Sequence, residues 1–306
     1  MDGAPVEGEE TAEPVDARAG RGGSLTVLGC DGSYPGPGGA ASGYLVEGGG
    51  VTVWLDAGPG TFAALQLAVH PAAVDAVVLS HEHPDHWTDV DSFAVWLRDE
   101  VPQDPVPVYA PPGLRRRSYM AEDPLLAWRE LEPSSWVVVR PRPPGTPGPP
   151  APSRGRPPRS PGPSALAGAW DGLRLSFCAT DHGPPTLAVR IEPAAGPAGV
   201  PPQPGEPGAL PALGYTADTG PDWSPAELGP GIGLLLSEAT FTRDREGEGR
   251  HLSGRQAGAL AAEAGVGRLV LTHRRPSTDP GALAREAVEA FGATIERAVA
   301  GQVHRW

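Results

Sequence analysis

A layered α/β fold, with β-rich and alternating sections in both halves of the chain, is the architecture these 306 residues predict. Three observations carry it. Short β-branched or apolar segments recur between Gly-rich turns near the start, as in an antiparallel opening to a sheet. Over the last third, apolar strand-length runs alternate with Ala-rich helical stretches. The chain contains no short-period repeat, and no apolar run approaches the ~18 residues needed to span a bilayer.

Taken in order, "SLTVLGC" (24–30), "GYLVEGG" (43–49) and "VTVWLDAG" (51–58) predict the opening strands, and "TFAALQLAV" (61–69) a helix. "VDAVVLS" (74–80) reads as a continuous apolar strand, and a helix follows around Asp91 to Leu97. The strand series continues with "VPVYA" (106–110), "SWVVVR" (135–140), "LRLSFCATDH" (173–182) and "TLAVRIE" (186–192). In the last third "LGYTADTG", "GIGLLLSEA" and "RLVLTH" alternate with the helices "SGRQAGALAAEAG" and "PGALAREAVEAF", and "TIERAVAG" closes the series.

Residues 1–23 are acidic, Gly-rich and poor in large apolar side chains, which predicts a disordered tail. Residues 24–306 are then expected to form one domain. Two Pro/Gly-rich stretches without hydrophobic periodicity, 140–165 and 193–212, predict extended or disordered surface insertions. The first carries Arg140, Arg142, Arg154, Arg156 and Arg159 and no acidic residue; it reads as a solubilising insertion, with an arm that touches RNA as the sharper alternative.

The formal net charge of -13 is spread along the chain, which argues against a nonspecific polyanion binder, because phosphate backbones are held by clustered Lys and Arg. Cys30 and Cys178 are the two cysteines, too far apart for a thiolate metal site and too few for a disulfide framework. The N-terminal stretch lacks a basic start and an apolar core, so a cytoplasmic protein is expected.

"SHEHPDHW" follows the 74–80 run directly and gathers His81, His83, Asp85 and His86 within six residues. Imidazole nitrogens and carboxylate oxygens suit zinc or manganese in a hydrolytic site. One tetrahedral ion cannot comfortably use all four, whereas two ions about 3.5–4 Å apart can share them and activate a common water. Further ligands must come from elsewhere, and polar residues of the right type end three later strands: His182, Asp218 and His273.

The stretches "LTVLGCDGSYPG", "SHEHPDHWTD", "DHGPPTLAVRIE", "YTADTGPD", "SEATF", "HLSGRQAG" and "LVLTH" together resemble the metallo-β-lactamase fold superfamily, and within it the ribonuclease Z-like branch. The resemblance covers nearly the whole chain after the tail. It implies a four-layer αβ/βα sandwich, two mixed sheets flanked by helices, with two divalent ions, zinc or alternatively manganese, on one edge. By position it assigns His81, His83 and His182 to the first ion, Asp85, His86 and His273 to the second, and Asp218 to both. It casts Asp56 as the strand-end aspartate that orients ligands. Gly58 and Gly60 are expected to serve tight turns. His251 is cast as the group that contacts the scissile phosphate or protonates the leaving oxygen, and Glu238 as its partner; a helix-start residue and a strand-end carboxylate are the plainer alternatives for the pair.

The fold hosts many hydrolyses, so the reaction is read from the site. Asp85, His251 and the absence of a Cys ligand favour a phosphodiester, attacked by a hydroxide shared between the ions. Ribonuclease Z proper inserts a basic, Gly-rich arm between the positions of His182 and Asp218; here 35 residues lie between them and the insertion is nearly chargeless. A small, cyclic nucleotide-like phosphodiester is therefore expected rather than transfer RNA, and the same stretches are similar to ribonuclease Z-like proteins linked to cyclic nucleotide phosphodiesterase activity. Alternatives are a lactonase or thioesterase, with Tyr215 or Tyr34 over the substrate, and a non-catalytic ligand-sensing relative. Glu82, Pro84 and "HRRPSTDP" after the last ligand depart from the family pattern. Arg274 and Arg275 read as solvated loop charges or phosphate contacts. Pairing of two copies across sheet edges is left open.

Overall fold

The computed structural model describes residues 23–100, 104–141, 170–195 and 210–306. Most of the expected tail and of both Pro/Gly-rich insertions, including Arg142, Arg154, Arg156 and Arg159, lies outside the described residues. Fourteen strands and four α-helices follow in the order β1 (Ser24–Gly29), β2 (Gly43–Gly48), β3 (Val51–Ala57), α1 (Thr61–Ala68), β4 (Ala76–Val78), α2 (Asp89–Glu100), β5 (Val106–Ala110), β6 (Leu126–Glu130), β7 (Trp136–Val139), β8 (Trp170–Ala179), β9 (Leu187–Ala195), β10 (Ala212–Tyr215), β11 (Ile232–Glu238), α3 (Gly254–Glu263), β12 (Leu269–Thr272), α4 (Pro280–Phe291), β13 (Glu296–Arg297) and β14 (Val303–Arg305) among the described residues.

Two seven-stranded sheets result, ordered β14-β1-β2-β3-β4-β5-β6 and β13-β12-β11-β10-β9-β8-β7. Each is mixed in the same way. In the first, the pairs from β14 to β3 are antiparallel and those from β3 to β6 parallel. In the second, β7 to β10 are antiparallel and β10 to β13 parallel.

Period-2 alternation explains the layering. Val51, Val53 and Leu55 of β3 face a core shared with Leu234 and Leu236 of β11, while Trp54 joins Phe62 of α1 and Phe93 of α2 in a second cluster. Leu235 and Leu269 turn the other way, onto Ala257, Ala261, Leu283 and Ala287 of α3 and α4. The outcome is helix, sheet, sheet, helix: the expected four-layer sandwich. The small residues of α3 let it approach α4 closely, since a Cβ at Gly258 would lie 2.5 Å from the Ala287 carbonyl oxygen. Ser253 starts α3 with a capping box to Gln256, and Asp279 caps α4 with Pro280 behind it.

Several boundaries differ from the expectation. β6 and β14 are additional strands; "LAWRE" and "VHR" are short and charged, so edge-side pairing rather than apolar content places them. Of "TIERAVAG" Glu296 and Arg297 alone pair as strand. β9 runs on to Ala195 because Pro193 and Ala195 still pair with Leu173 and Trp170. Among the described residues, no helix is long and apolar enough to cross a membrane.

Candidate metal centre

Parallel strands point their C-terminal ends at one rim, and the ligating side chains cluster there. β4 ends at Val78, and Leu79 is pinned by its N–H to the Tyr109 carbonyl at 2.8 Å. The chain then turns through a short 3₁₀ segment, Pro84–His86, which makes Asp85 and His86 neighbours of His81. Backbone closes on this turn from behind. The Ser42 N–H donates to the Asp85 carbonyl at 3.2 Å, and a Cβ at Gly58 would sit 2.0 Å from that same oxygen. Gly58 therefore serves close approach as well as the turn it opens, its carbonyl accepting from Thr61 N at 3.1 Å, and Gly60 holds that turn at φ +91°.

His182 follows β8, Asp218 follows β10 and His273 follows β12. Two groups form. In the first, His81 Nε2 lies 3.0 Å from His83 Nδ1, His182 Nε2 lies 3.2 Å from that nitrogen, and Asp218 Oδ2 is 3.4 Å from His81 Nε2 and 3.8 Å from His182 Nε2. In the second, Asp218 Oδ1 is 3.3 Å from both His86 Nε2 and His273 Nε2, and Asp85 Oδ2 is 3.6 and 3.2 Å from the same two nitrogens. Ligand atoms of His81, His83, His182 and Asp218 lie within 4.8 Å of one another, as do those of Asp85, His86 and His273 and those of Asp218, His251 and His273. Asp218 divides its two oxygens between them.

The hydrogen bonds fix which atoms are left facing inward. His182 Nδ1 donates to the Arg250 carbonyl at 2.9 Å, and His86 Nδ1 donates to Asp56 at 2.8 Å. The Ser80 hydroxyl gives its proton to Asp56 and so accepts from His81 Nδ1 at 3.0 Å; the Thr240 hydroxyl gives its proton to Glu238 and accepts from His273 Nδ1 at 2.9 Å. All four rings thus present the lone pair of Nε2 to carboxylate oxygens and to each other. His86 Nε2 and Asp218 Oδ1, both fully buried, have no hydrogen-bond partner. Acceptors facing acceptors out of water repel unless a cation lies between them, so the donor set fits divalent metal. Burial pushes His81, His83 and His182 below the ordinary histidine range, the neutral form that ligation requires. Burial alone would do the same to His86, but Asp218, Asp56 and Asp85 outweigh it and raise that group well above its usual value. Asp218 is held low against its burial by His273, His86 and His81.

Behind the rim stand two buried carboxylates. Asp56 accepts from Ser80 N and Oγ, His86 Nδ1 and the Tyr215 hydroxyl, all within 2.8 Å, and adopts φ +53°, a left-handed conformation costly for a residue with a side chain. Glu238 accepts from Thr219 N, Thr240 Oγ1, Leu252 N and His251 Nδ1, the last at 3.0 Å. Burial would lower His251, yet Glu238 lifts it to about 9. Its ring lies 5.0 Å from that of His182 and 5.4 Å from that of His273.

Ser80, Thr240, Thr219 and Tyr215 were not singled out for these roles by sequence reasoning, and nothing in their local sequence signals them. Tyr215, an expected candidate for covering a substrate, is buried behind Asp56 instead. Tyr34 is half-exposed on the loop after β1. Glu82 receives Arg117 through two hydrogen bonds of 2.9 and 3.1 Å, which offsets its charge beside the histidines. Arg274 is a loop staple rather than a solvated charge: one terminal nitrogen donates to the carbonyls of Arg275, Pro276 and Thr278.

Donor sets of this kind on one rim of a four-layer sandwich define the metallo-hydrolases of the β-lactamase fold. The chain belongs to that superfamily: residues 51–274 match the family described as Beta-lactamase superfamily domain. An uncharacterized protein of Mycobacterium leprae, ML1173, is 31% identical over 290 residues, which cover 91% of this chain and 87% of the relative. Ribonuclease Z of Mycobacterium avium is 28% identical over 304 residues, covering 91% and 94%, in keeping with a ribonuclease Z-like member. The crystal structure of YhfI from Bacillus subtilis, a metallo-β-lactamase fold protein, superposes with a TM-score of 0.72 at 23% identity and covers 94% of this chain and 100% of that one. It shares the fold.

Proposed function

We propose that the protein is a dinuclear phosphodiesterase acting on a small, cyclic nucleotide-like phosphodiester, carried by residues 24–306 as one domain. The observation that carries this reading is the division of Asp218 between two donor groups, with the His251 ring 5.0 Å from that of His182 and 5.4 Å from that of His273. His81, His83 and His182 would hold one ion, and Asp85, His86 and His273 the other, with Asp218 shared. The imidazole and carboxylate donors suit zinc, with manganese as the alternative. Two such ions, when bound, supply an activated water and neutralise phosphoryl charge.

The chain's own groups do the rest. Asp56 locks His86 and, through Ser80, His81. Glu238 aims His251 and favours its protonated form, so that its outward nitrogen can give a proton to the leaving oxygen. Only 16 residues separate Ala195 of β9 from Ala212 of β10, which leaves little chain for an RNA-clamping arm at that place. The burial of Tyr215 also favours a phosphodiester over a lactone or thioester, because that hydroxyl is committed to Asp56.

The test is turnover of 3′,5′-cyclic AMP by the zinc- or manganese-loaded protein, with His83→Ala and an unprocessed transfer RNA run in parallel and metal content measured by mass spectrometry. Metal-dependent loss of the cyclic nucleotide, absent in the variant, is expected. Cleavage of the RNA alone would overturn the substrate class, and silence on both would move the search to lactones, thioesters or ligand sensing.

A further inference from the structure

Four arginines flank the site, and among the described residues three are tied to other groups. Arg245 pairs with Glu248 through Nε at 3.0 Å and Nη2 at 2.5 Å, Arg250 lies 3.7 Å from Asp181, and Arg274 is held by three carbonyls. Arg275 differs. Its guanidinium stacks over the Phe241 ring at 4.9 Å, a ring that Arg245 also covers at 5.1 Å, and Nε makes a long 3.4 Å contact to Ser33 Oγ. Among the described residues neither terminal nitrogen has a hydrogen-bond partner, and Glu248, an acid that feels the group's charge, is already engaged by Arg245.

Its two contacts, Ser33 and Phe241, are themselves neighbours of Asp85 and His251. Ser33 donates its backbone N–H to Asp85 Oδ2 at 2.7 Å, so the Ser33 contact lies on the Asp85 side of the site. On the other side the Phe241 ring meets His251 edge-on at 5.8 Å. The seat is rigid. Gly32 N donates to the Arg274 carbonyl at 2.9 Å and Arg274 N to the Cys30 carbonyl at 3.3 Å, which ties the loop after β1 to the segment after β12. An arginine pre-stacked on an aromatic face loses little freedom on binding and presents a planar fork that suits phosphoryl oxygens.

We propose that Arg275 is a substrate-binding residue that receives a non-bridging oxygen of the phosphoryl group, and that it selects anionic phosphodiesters over neutral esters. The inference deepens the phosphodiesterase reading and rests on it. Arg275→Gln and Arg275→Met, the second keeping the stem over Phe241, are compared with Arg275→Lys. The readouts are KM and kcat for cyclic AMP, and the affinity of the metal-loaded protein for inorganic phosphate by calorimetry. The uncharged variants should raise KM and weaken phosphate binding by about tenfold, with metal content and thermal midpoint unchanged, and Lys should recover part of the loss. Turnover by the wild type with KM and phosphate affinity within twofold in both uncharged variants would overturn the subsite and leave the reaction intact. Weakened phosphate binding in a protein that hydrolyses no phosphodiester would instead retain the anion subsite and defeat the reaction assigned to it.

Discussion

Asp56 and Glu238 are both buried carboxylates at or near the end of a strand, one in each sheet, and they serve different groups. Asp56 accepts from Ser80 and His86 at the HEHPDH turn and from Tyr215 at the end of β10. Glu238 serves His273 only through Thr240 and meets His251 directly. The first sheet's anchor therefore acts on the donor set alone. The second sheet's anchor couples that set to a histidine that can move a proton. On the proposed reading one buried carboxylate sets metal affinity while the other sets protonation, and substitutions can separate the two effects.

The largest effect should come from cutting both regions at once. Asp218→Ala removes the carboxylate the groups share, and His83→Ala opens the first; each should take activity to background and lower metal content together, read by mass spectrometry beside a turnover assay. His251→Ala should keep its metal and lose about 10²–10⁴ in kcat, the usual worth of a positioned acid. Full turnover by that variant would remove His251 from the mechanism. Next comes the direct contrast. Asp56→Asn should weaken metal affinity by about 10–100-fold, because one of its two acceptor oxygens becomes an NH2 donor set against donors from Ser80, His86 and Tyr215, whereas Glu238→Gln should weaken it less and slow turnover more. Equal effects in a chelator competition would erase the distinction.

The smallest effect is a titration in metal-free protein. His251 is raised to about 9, so the folded chain binds its proton more tightly than the unfolded chain does. Its stabilising contribution is fully present below about 6.5 and is lost as pH rises through the folded value. The imidazole resonances of His251 should report that value, and Glu238→Gln should bring it down towards the ordinary range. An unchanged midpoint would mean that Glu238 is not its cause.

The same contrast marks what the sequence could disclose. His81, His83, Asp85 and His86 are legible because one turn supplies them, and His182, Asp218 and His273 because each ends an apolar run. The four layers were legible through the family resemblance and the alternation of elements. Tyr215 lies 159 positions from Asp56 and Thr240 lies 33 from His273, so their hydrogen bonds exist only once the sheets have met. Arg274 and Arg275 are adjacent and chemically identical, yet one staples a loop and the other stacks on Phe241 with terminal nitrogens that have no hydrogen-bond partner among the described residues; local sequence cannot separate them. β6 and β14 escaped notice because strands at or near sheet edges need little apolar content.

Neither sheet owns a complete donor set. The turn after β4 belongs to one, and the ends of β8, β10 and β12 belong to the other. A cation shared among them would therefore be a cross-link between two halves that otherwise meet through an apolar core and a few hydrogen bonds such as Tyr215 to Asp56 and Tyr44 to Thr272, and it would favour the folded state by RT ln(1 + [L]/Kd). Hydrogen exchange at the rim should then slow with metal concentration on both sheets together, including at amides far along the chain from any ligand.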